Sequence, residues 1–218
     1  MPIAFGASTG QEFAAATSYT VTNVAADGTN KYGLVWVGLR TNTGDITGVT
    51  FNTVSMTELQ QWNNSDGTHT LWLFGLANPT TGDVAITGDT SLAAEVIVSI
   101  YTGVAQTGST GTVATDKSAV GVPTDNSSVT VTSATDELVV DCVGWNSGGE
   151  ATAGAGQTKR KESVDPGNGI SMDIASSDEA GAASVAMTWT FTSSRWLGVG
   201  VPLKPVVAAV SNFLLMGV

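Results

Sequence analysis

Three observations predict an all-β fold, an antiparallel β-sandwich. Apolar residues recur at every second position in most segments, as in Val185, Met187, Trp189 and Phe191, and this spacing places them on one face of an extended chain. The chain contains 26 glycines and only 12% charged residues, a composition typical of short strands joined by many turns. No segment keeps the 3.6-residue period of an amphipathic helix, so we expect at most one short helical turn.

The first half of the chain divides into an entry segment and a series of strands. Residues 1–17 are rich in small side chains and predict an entry segment with at most one edge strand. Asp27-Gly28 and Asn78-Pro79 mark turns, because these residue types favour turn conformations or interrupt a strand. The strands predicted in this half are 18–24, 32–39, two short strands within 49–61, 70–76, 83–86 and 93–101. The runs 32–39 and 70–76 are almost wholly apolar, which is typical of strands covered on both faces.

The second half follows a connection at 102–123 that is rich in glycine, threonine and serine. The strands predicted there are 127–132, 137–145, 158–164, 169–176 and a final pair within 184–205. The final pair is separated by Ser193-Ser194-Arg195, and this short polar turn predicts a β-hairpin within one sheet. The strand 158–164 carries Lys159, Arg160 and Lys161 and is predicted to be an exposed edge, since charge discourages pairing with other edges.

The two halves resemble each other in sequence. The matching segments are, in pairs, 19–22 and 129–132, 34–38 and 138–144, and 93–101 and 197–205. We therefore predict one jelly-roll-like antiparallel β-sandwich with pseudo-repeated halves over residues 18–205. Two independent domains are the alternative.

Charge and cysteine content exclude several classes of function. Eight basic and 19 acidic residues give a net charge of −11, so the chain lacks the basic footprint of a nucleic-acid-binding protein. The single cysteine, Cys142, lies in an apolar run and is predicted to be a buried thiol, compatible with a reducing cytoplasm. We expect no signal peptide after Met1 and no membrane-spanning helix, which needs about 18 apolar residues.

Residues able to perform chemistry are few and scattered. The only histidine, His69, is interpreted as a strand-edge residue and not as a general base. Glu137 and Asp141 share one face of a strand, but four residues at about 3.3 Å each separate them by roughly 13 Å, beyond the about 5–9 Å of a glycosidase pair. We therefore predict no catalytic residue, metal or cofactor; a hydrolase using these two carboxyls is the minor alternative. Oxygen ligands for a structural calcium ion would come from Asp45, Asp66, Asp83, Asp165 and Asn168.

Two features suggest contacts with other molecules. Trp62 and Trp145 adjoin polar loops, where exposed indoles would stack on the sugars of a glycan; the alternative is that they cap the ends of the core. Residues 206–218 form an apolar tail that is too short to span a bilayer. This tail predicts either a terminal strand folded on the sandwich or an arm that docks on a neighbouring subunit. The candidate interface residues are Val206, Val207, Val210, Phe213, Leu214, Leu215 and Met216.

The segments 48–57, 71–87 and 101–104, followed by 137–141, 154–158 and 181–189, resemble a β-sandwich module of bacteriophage virion proteins and large bacterial surface proteins. The resemblance covers roughly residues 20–205 and includes no chemical motif. It implies a non-enzymatic structural or adhesive role.

From this resemblance we expect a virion structural protein, such as a capsid decoration, a head fibre or a tail component. Its partners would be further copies of the chain and other virion proteins, and neither nucleic acid nor membrane. The alternative is a carbohydrate-binding module or adhesin, whose partner would be a host-surface glycan.

Overall fold

The computed structural model describes residues 1–40, 44–64, 67–146, 149–163 and 172–207. Within these ranges the chain forms antiparallel strands and turns, which confirms the all-β sandwich class. The strands are β1 (Ala4–Val24), β2 (Tyr32–Leu39), β3 (Ile46–Phe51), β4 (Val54–Ser55), β5 (Thr57–Asn63), β6 (Thr70–Ala77), β7 (Gly82–Thr102), β8 (Ala114–Lys117), β9 (Thr124–Val131), β10 (Leu138–Trp145), β11 (Thr152–Ala153), β12 (Thr158–Ser163), β13 (Asp173–Ala180), β14 (Val185–Ser194) and β15 (Trp196–Leu203).

Strands β1 to β7 form the N-terminal sandwich, which is a single seven-stranded sheet folded on itself. β1 follows one edge of β7 over almost its whole length, while β3 and β2 pair with successive parts of the other edge. The β1–β7 register shifts around Ala16, and such irregularities bend and twist a strand. The two arms of the sheet therefore face each other across a core that includes Val21, Phe51, Ile86, Val37, Phe74 and Val98.

The predicted entry segment belongs to this sandwich. Residues 4–13 form the first part of β1, which pairs with β7 between Ala94 and Thr102. The predicted strands 83–86 and 93–101 are likewise parts of the single strand β7. The sequence predicts two strands here because residues 88–91, between the two apolar runs, include no apolar side chain.

Strands β8 to β15 form the C-terminal sandwich from two separate sheets. The five-stranded sheet has the order β12-β13-β10-β15-β8, and the three-stranded sheet has the order β11-β14-β9. The core between them includes Val129, Val131, Val143, Trp145, Met187 and Trp189.

The predicted hairpin of residues 184–205 within one sheet is wrong. β14 pairs with β9 and β11, whereas β15 pairs with β10 and β8, so the chain passes from one sheet to the other at Arg195. The glycines of β15 explain the stacking: a Cβ added at Gly198 would lie 2.6 Å from Val129 Cγ2, and one at Gly200 would lie 2.5 Å from Val131 Cγ2. Glycine is therefore needed where β9 packs directly on β15.

The sequence repeat has a counterpart in strand order. The N-terminal sandwich contains the series β5-β6-β2-β7, and the C-terminal sandwich contains β12-β13-β10-β15. β2 thus corresponds to β10, and the second part of β7 corresponds to β15, as the repeated segments predict. The two sandwiches differ in how the chain passes from one layer to the other. In the N-terminal sandwich the single bent strand β7 spans both layers, whereas in the C-terminal sandwich two strands, β14 and β15, are joined by Arg195.

The two sandwiches pack face to face through an inner interface formed by β2, β6 and β7 on one side and β10, β13 and β15 on the other. Its buried side chains include Leu34, Trp36, Leu73, Ile97, Val140, Cys142, Ile174, Val199 and Val201. All eight residues of β2 are buried, as are the first six of β6. This double coverage confirms the prediction for the runs 32–39 and 70–76.

Two kinds of feature are missing from the residues that the structure describes. No helix there is long and apolar enough to cross a membrane. No group of three or more histidine, cysteine or acidic side chains lies there in a position to hold a metal ion.

The close approach of β9 to β15 predicts the cost of a methyl group at Gly200. Gly200→Ala should lower the free energy of unfolding by about 1–3 kcal/mol, because the new Cβ overlaps Val131. In a Val131→Ala background the same substitution should cost clearly less, which a double-mutant cycle in urea measures.

The matched control for this cycle is Gly48→Ala in β3, where the nearest atom to the new Cβ is 3.3 Å away and the loss should be smaller. Strictly additive effects of Gly200→Ala and Val131→Ala would contradict the packing described for β15.

Candidate functional site

A groove at one end of the molecule brings the N-terminus and the last described residues of the chain together. We call it the terminal groove; its volume is about 520 Å³. Its lining residues are Met1, Pro2, Ile3, Thr135, Asp136, Glu137, Leu138, Ala180, Pro205, Val206 and Val207. These residues come from the N-terminus, the turn before β10, the end of β13 and the segment after β15. The lining of the groove is therefore mostly apolar and includes two acidic residues, Asp136 and Glu137.

Backbone hydrogen bonds hold the last described segment at this groove. Val206 N donates to Gly103 O at 2.9 Å, and the Met1 amino group donates to Val206 O at 3.4 Å. Val207 follows with 84% of its surface exposed. Val207 is the last described residue, and its apolar side chain is exposed beside the other apolar residues that line the groove.

Of the predicted interface residues, Val206 and Val207 therefore line the terminal groove. Val210, Phe213, Leu214, Leu215 and Met216 lie outside the described residues.

Trp62 occupies the seam between the two sandwiches. Its indole Nε1 donates to Asp116 O at 3.2 Å, and Lys117 Nζ lies 4.6 Å from its ring centroid. The same ammonium group donates to Asn63 O at 2.8 Å. Trp62 is thus half-buried between β5 and β8, and the cation covers ring surface that a sugar would need for stacking.

Trp145 lies in the core of the C-terminal sandwich. It is only 1% exposed, and its ring stacks on Phe191 at a centroid distance of 5.9 Å. A buried indole offers no face to a glycan, so this position fits the core-capping alternative and not the sugar-stacking one.

Asp141 is a buried structural acid. It is 1% exposed, accepts a hydrogen bond from Ser177 Oγ at 2.5 Å and accepts another from Trp189 Nε1 at 2.7 Å. Burial raises the pKa of Asp141 to about 7, against the lowering effect of these two hydrogen bonds. The carboxyl group therefore ties β10 to β13 and to β14 across the core.

Glu137, the other acid of the hydrolase alternative, stabilises a turn. Glu137 Oε2 accepts a hydrogen bond from Ala134 N at 2.9 Å and closes the turn before β10. It lies at the terminal groove, whereas Asp141 faces the core of the C-terminal sandwich. The structure does not bring the two carboxyls into one cleft.

The loop residues considered for calcium are partly described. Asp83 Oδ1 accepts a hydrogen bond from Asn23 N at 2.8 Å, which is the turn-stabilising use of an aspartate. Asp45 Oδ1 accepts one from Gln61 Nε2 at 3.4 Å. Asp66, Asp165 and Asn168 lie outside the described residues.

Arg160 shows that the predicted edge strand β12 is only partly exposed to solvent. Its guanidinium binds the Asp178 carboxylate with Nε and Nη2 at 2.7 and 2.8 Å and lies 4.4 Å from the ring centroid of Phe5 in β1. β12 is the edge of its own sheet, as predicted, and its first two residues are exposed, whereas the rest of the strand is half-buried or buried.

A second polar contact crosses the inner interface nearby. The Ser163 hydroxyl donates to the carboxylate of Glu95, and Glu95 is fully buried. Because buried polar groups need defined partners, we infer that these contacts fix how the two sandwiches are aligned.

Cys142 is buried in the inner interface, as the sequence predicts. Burial raises the pKa of its thiol well above the usual value, so the thiolate needed for reactivity does not form near neutral pH.

Comparison with known proteins adds no functional assignment. No family model matches the chain, and no curated protein matches it. The candidate site is therefore defined by geometry: it is the terminal groove, of which the sequence pattern indicated Val206 and Val207 but not the residues of the N-terminus, the turn before β10 and β13 that line it with them.

The raised pKa of Asp141 predicts a pH-dependent stability. Between pH 4 and pH 7 the folded state keeps a proton that the unfolded state has released, so the free energy of unfolding should fall as the pH rises. The contribution reaches about 1.4 kcal/mol per pH unit. Asp141→Asn should remove this part of the pH dependence in urea unfolding curves.

Asp27→Asn is the matched control, because Asp27 is an exposed aspartate in a turn; it should leave the profile of the native chain unchanged. Parallel profiles for the native chain and Asp141→Asn would show that Asp141 is ionised in the fold.

Proposed function

We propose that the chain is a non-enzymatic structural protein of a bacteriophage virion that self-associates through its apolar tail. The observation that carries the proposal is the position of Val207. This residue is 84% exposed and lines a groove whose other lining residues are mostly apolar. The occupant we assign to this groove is the tail of a second copy of the chain.

Charge supports a local contact of this kind. The net charge of −11 opposes association through large areas of the body, so the attractive surface has to be small and apolar. The terminal groove provides such a surface through Ile3, Leu138 and Pro205. An apolar tail without a partner would be an aggregation hazard, and a groove on the neighbouring copy would remove that hazard.

The body of the protein supports a structural role. Two sandwiches that share a buried interface form a block with four layers of strands, and its buried acids serve packing. Asp141 binds Trp189, and Asp178 binds Arg160, so these acids are committed to holding strands together. The resemblance to phage and bacterial surface modules points to the same role.

Deleting residues 208–218 tests the assembly. The full chain should sediment as an oligomer of the 22.1 kDa chain at micromolar concentration, and the truncated chain should sediment as a monomer slightly lighter than one full chain. Ile3→Asp in the groove should also produce monomers, because a buried unpaired carboxylate opposes docking of an apolar segment. Analytical ultracentrifugation measures both results.

Val120→Asp is the control, because Val120 is 66% exposed and lies in the loop after β8, outside the terminal groove; it should leave the oligomer intact. A full chain that sediments as a monomer, or an oligomer that survives truncation, would contradict the proposal. A monomer that loses stability on truncation would instead assign the tail to its own groove.

The virion setting has a separate test. Genes for capsid, portal and terminase proteins beside the coding gene would support it, and antibodies against the chain should label purified particles. Neighbouring genes for metabolism, together with unlabelled particles, would contradict it.

A further inference from the structure

A second cleft lies at the end of the molecule opposite to the terminal groove. We call it the arginine cleft; its volume is about 310 Å³ and it is lined by Arg40, Gly67, Thr68, His69, Asn146 and Arg195. β10 separates the two sites, because Leu138 lies in the terminal groove and Asn146 follows the other end of the strand. Eight residues of extended chain correspond to about 26 Å.

Both sandwiches contribute to the arginine cleft. Arg40 follows β2 and His69 precedes β6 in the N-terminal sandwich, while Asn146 follows β10 and Arg195 joins β14 to β15 in the C-terminal one. The cleft therefore depends on the alignment that the inner interface imposes.

The side chains in the cleft favour an anion. Arg40 and Arg195, which are two of the three arginines in the chain, both line the cleft. No acidic side chain of the described residues lines the cleft. Guanidinium groups present paired donors that match a carboxylate or a phosphate, so the cleft reverses locally the negative charge of the chain.

His69 adds a buried donor. It is 2% exposed, although the sequence indicated a strand-edge position. Its Nδ1 lies 2.9 Å from Asn64 Nδ2 and accepts that amide hydrogen, which places the ring hydrogen on Nε2. Nε2 makes no hydrogen bond of standard geometry among the described residues, although the Asn146 side chain is close enough to oppose in part the burial that lowers the pKa of His69 to about 4. The neutral ring thus keeps an N–H group that a ligand oxygen would satisfy.

The cleft continues into a second cavity of about 280 Å³. The two cavities share Asn146 and Arg195, and the second adds Gly121, Pro123, Ser193 and Ser194. Only Pro123 in the combined lining is apolar, so an apolar ligand would gain little from entering. A volume near 300 Å³ is at the small end of ligand sites, which suits a compact polar ligand larger than a simple anion.

We propose that the arginine cleft binds an acidic sugar, with the carboxylate held by Arg40 and Arg195 and the hydroxyl groups held by His69, Asn146 and the serines. Trp62 and Trp145, the two tryptophans of the sequence-based glycan hypothesis, do not line either cavity. The inference does not depend on the oligomeric state, so it stands or fails separately from the proposed assembly.

His69 provides a clean probe, because a chain with one histidine gives one set of imidazole NMR signals. Glucuronic acid added to the full chain at pH 7 should shift these signals saturably, and methyl glucoside should not. Arg40→Gln should weaken glucuronic acid binding at least tenfold, the loss of about 1.4 kcal/mol or more. Lys204→Gln removes an exposed positive charge near the terminal groove and should leave the affinity unchanged.

Two results would overturn the proposal. The first is the absence of any saturable shift with glucuronic acid. The second is equal affinity for sodium sulfate and glucuronic acid, which would show a general anion site that does not recognise the sugar. Unchanged urea midpoints for Arg40→Gln and Lys204→Gln establish that the comparison is made between folded proteins.

Discussion

The inner interface between the two sandwiches is the constraint on which the rest of the structure depends. β2 and β15 are buried over their whole length, because each lies between the core of its own sandwich and the facing sandwich. Such strands carry mostly apolar side chains and glycine, because burial of a polar group that lacks a hydrogen bond costs free energy. A single sandwich on its own would expose the apolar residues of this interface as one large patch, which favours aggregation. The two halves therefore depend on each other to bury these residues, in spite of their repeated topology.

Glycine and methionine show how closely the inner sheets approach. A Cβ at Gly38 in β2 would lie 2.7 Å from Ile174 Cγ2, and one at Gly144 in β10 would lie 2.5 Å from Met172 Cε. Met172 thus fills the space left by both glycines, which is the adaptable packing typical of its unbranched side chain. The same contacts bring the ends of β2 and β10 together, and Arg40 and Asn146 follow those ends.

Much of the strand pattern could be predicted from the sequence, because alternation and uninterrupted apolar runs report burial directly. β2, β6, β10 and β15 have the bounds of their apolar runs to within about two residues. The partners of each strand could not be predicted in the same way. β14 and β15 have the alternation and the polar turn of a hairpin, and only the space available beside Gly198 and Gly200 shows that they belong to different layers.

The sites were harder to predict than the strands. Periodicity carries no information on which loops meet in space, so His69 and Arg195 gave no joint signal although both line one cleft. The positions of Trp62 and Trp145 beside polar loops suggested a glycan site, but aromatic residues also occur beside loops where a core or an interface ends. Trp62 closes the seam between the sandwiches, and Trp145 is buried in the core. Asp141 was recognised as a strand residue, but its bond to Trp189 depends on the stacking of β14 over β10.

The layered architecture also determines where the protein is able to make contacts. The lateral seams are closed, one by Trp62 and Lys117 and the other by Arg160 and Phe5. The outermost strands alternate between buried apolar and exposed polar residues, as in β9 and β14, and polar strand faces of this kind offer little apolar area to a partner. The two ends differ from these surfaces and from each other: one carries the N-terminus and a mostly apolar groove, and the other carries arginines and a buried donor. A block built in this way would attach at one end and present a polar cleft about 26 Å away at the other.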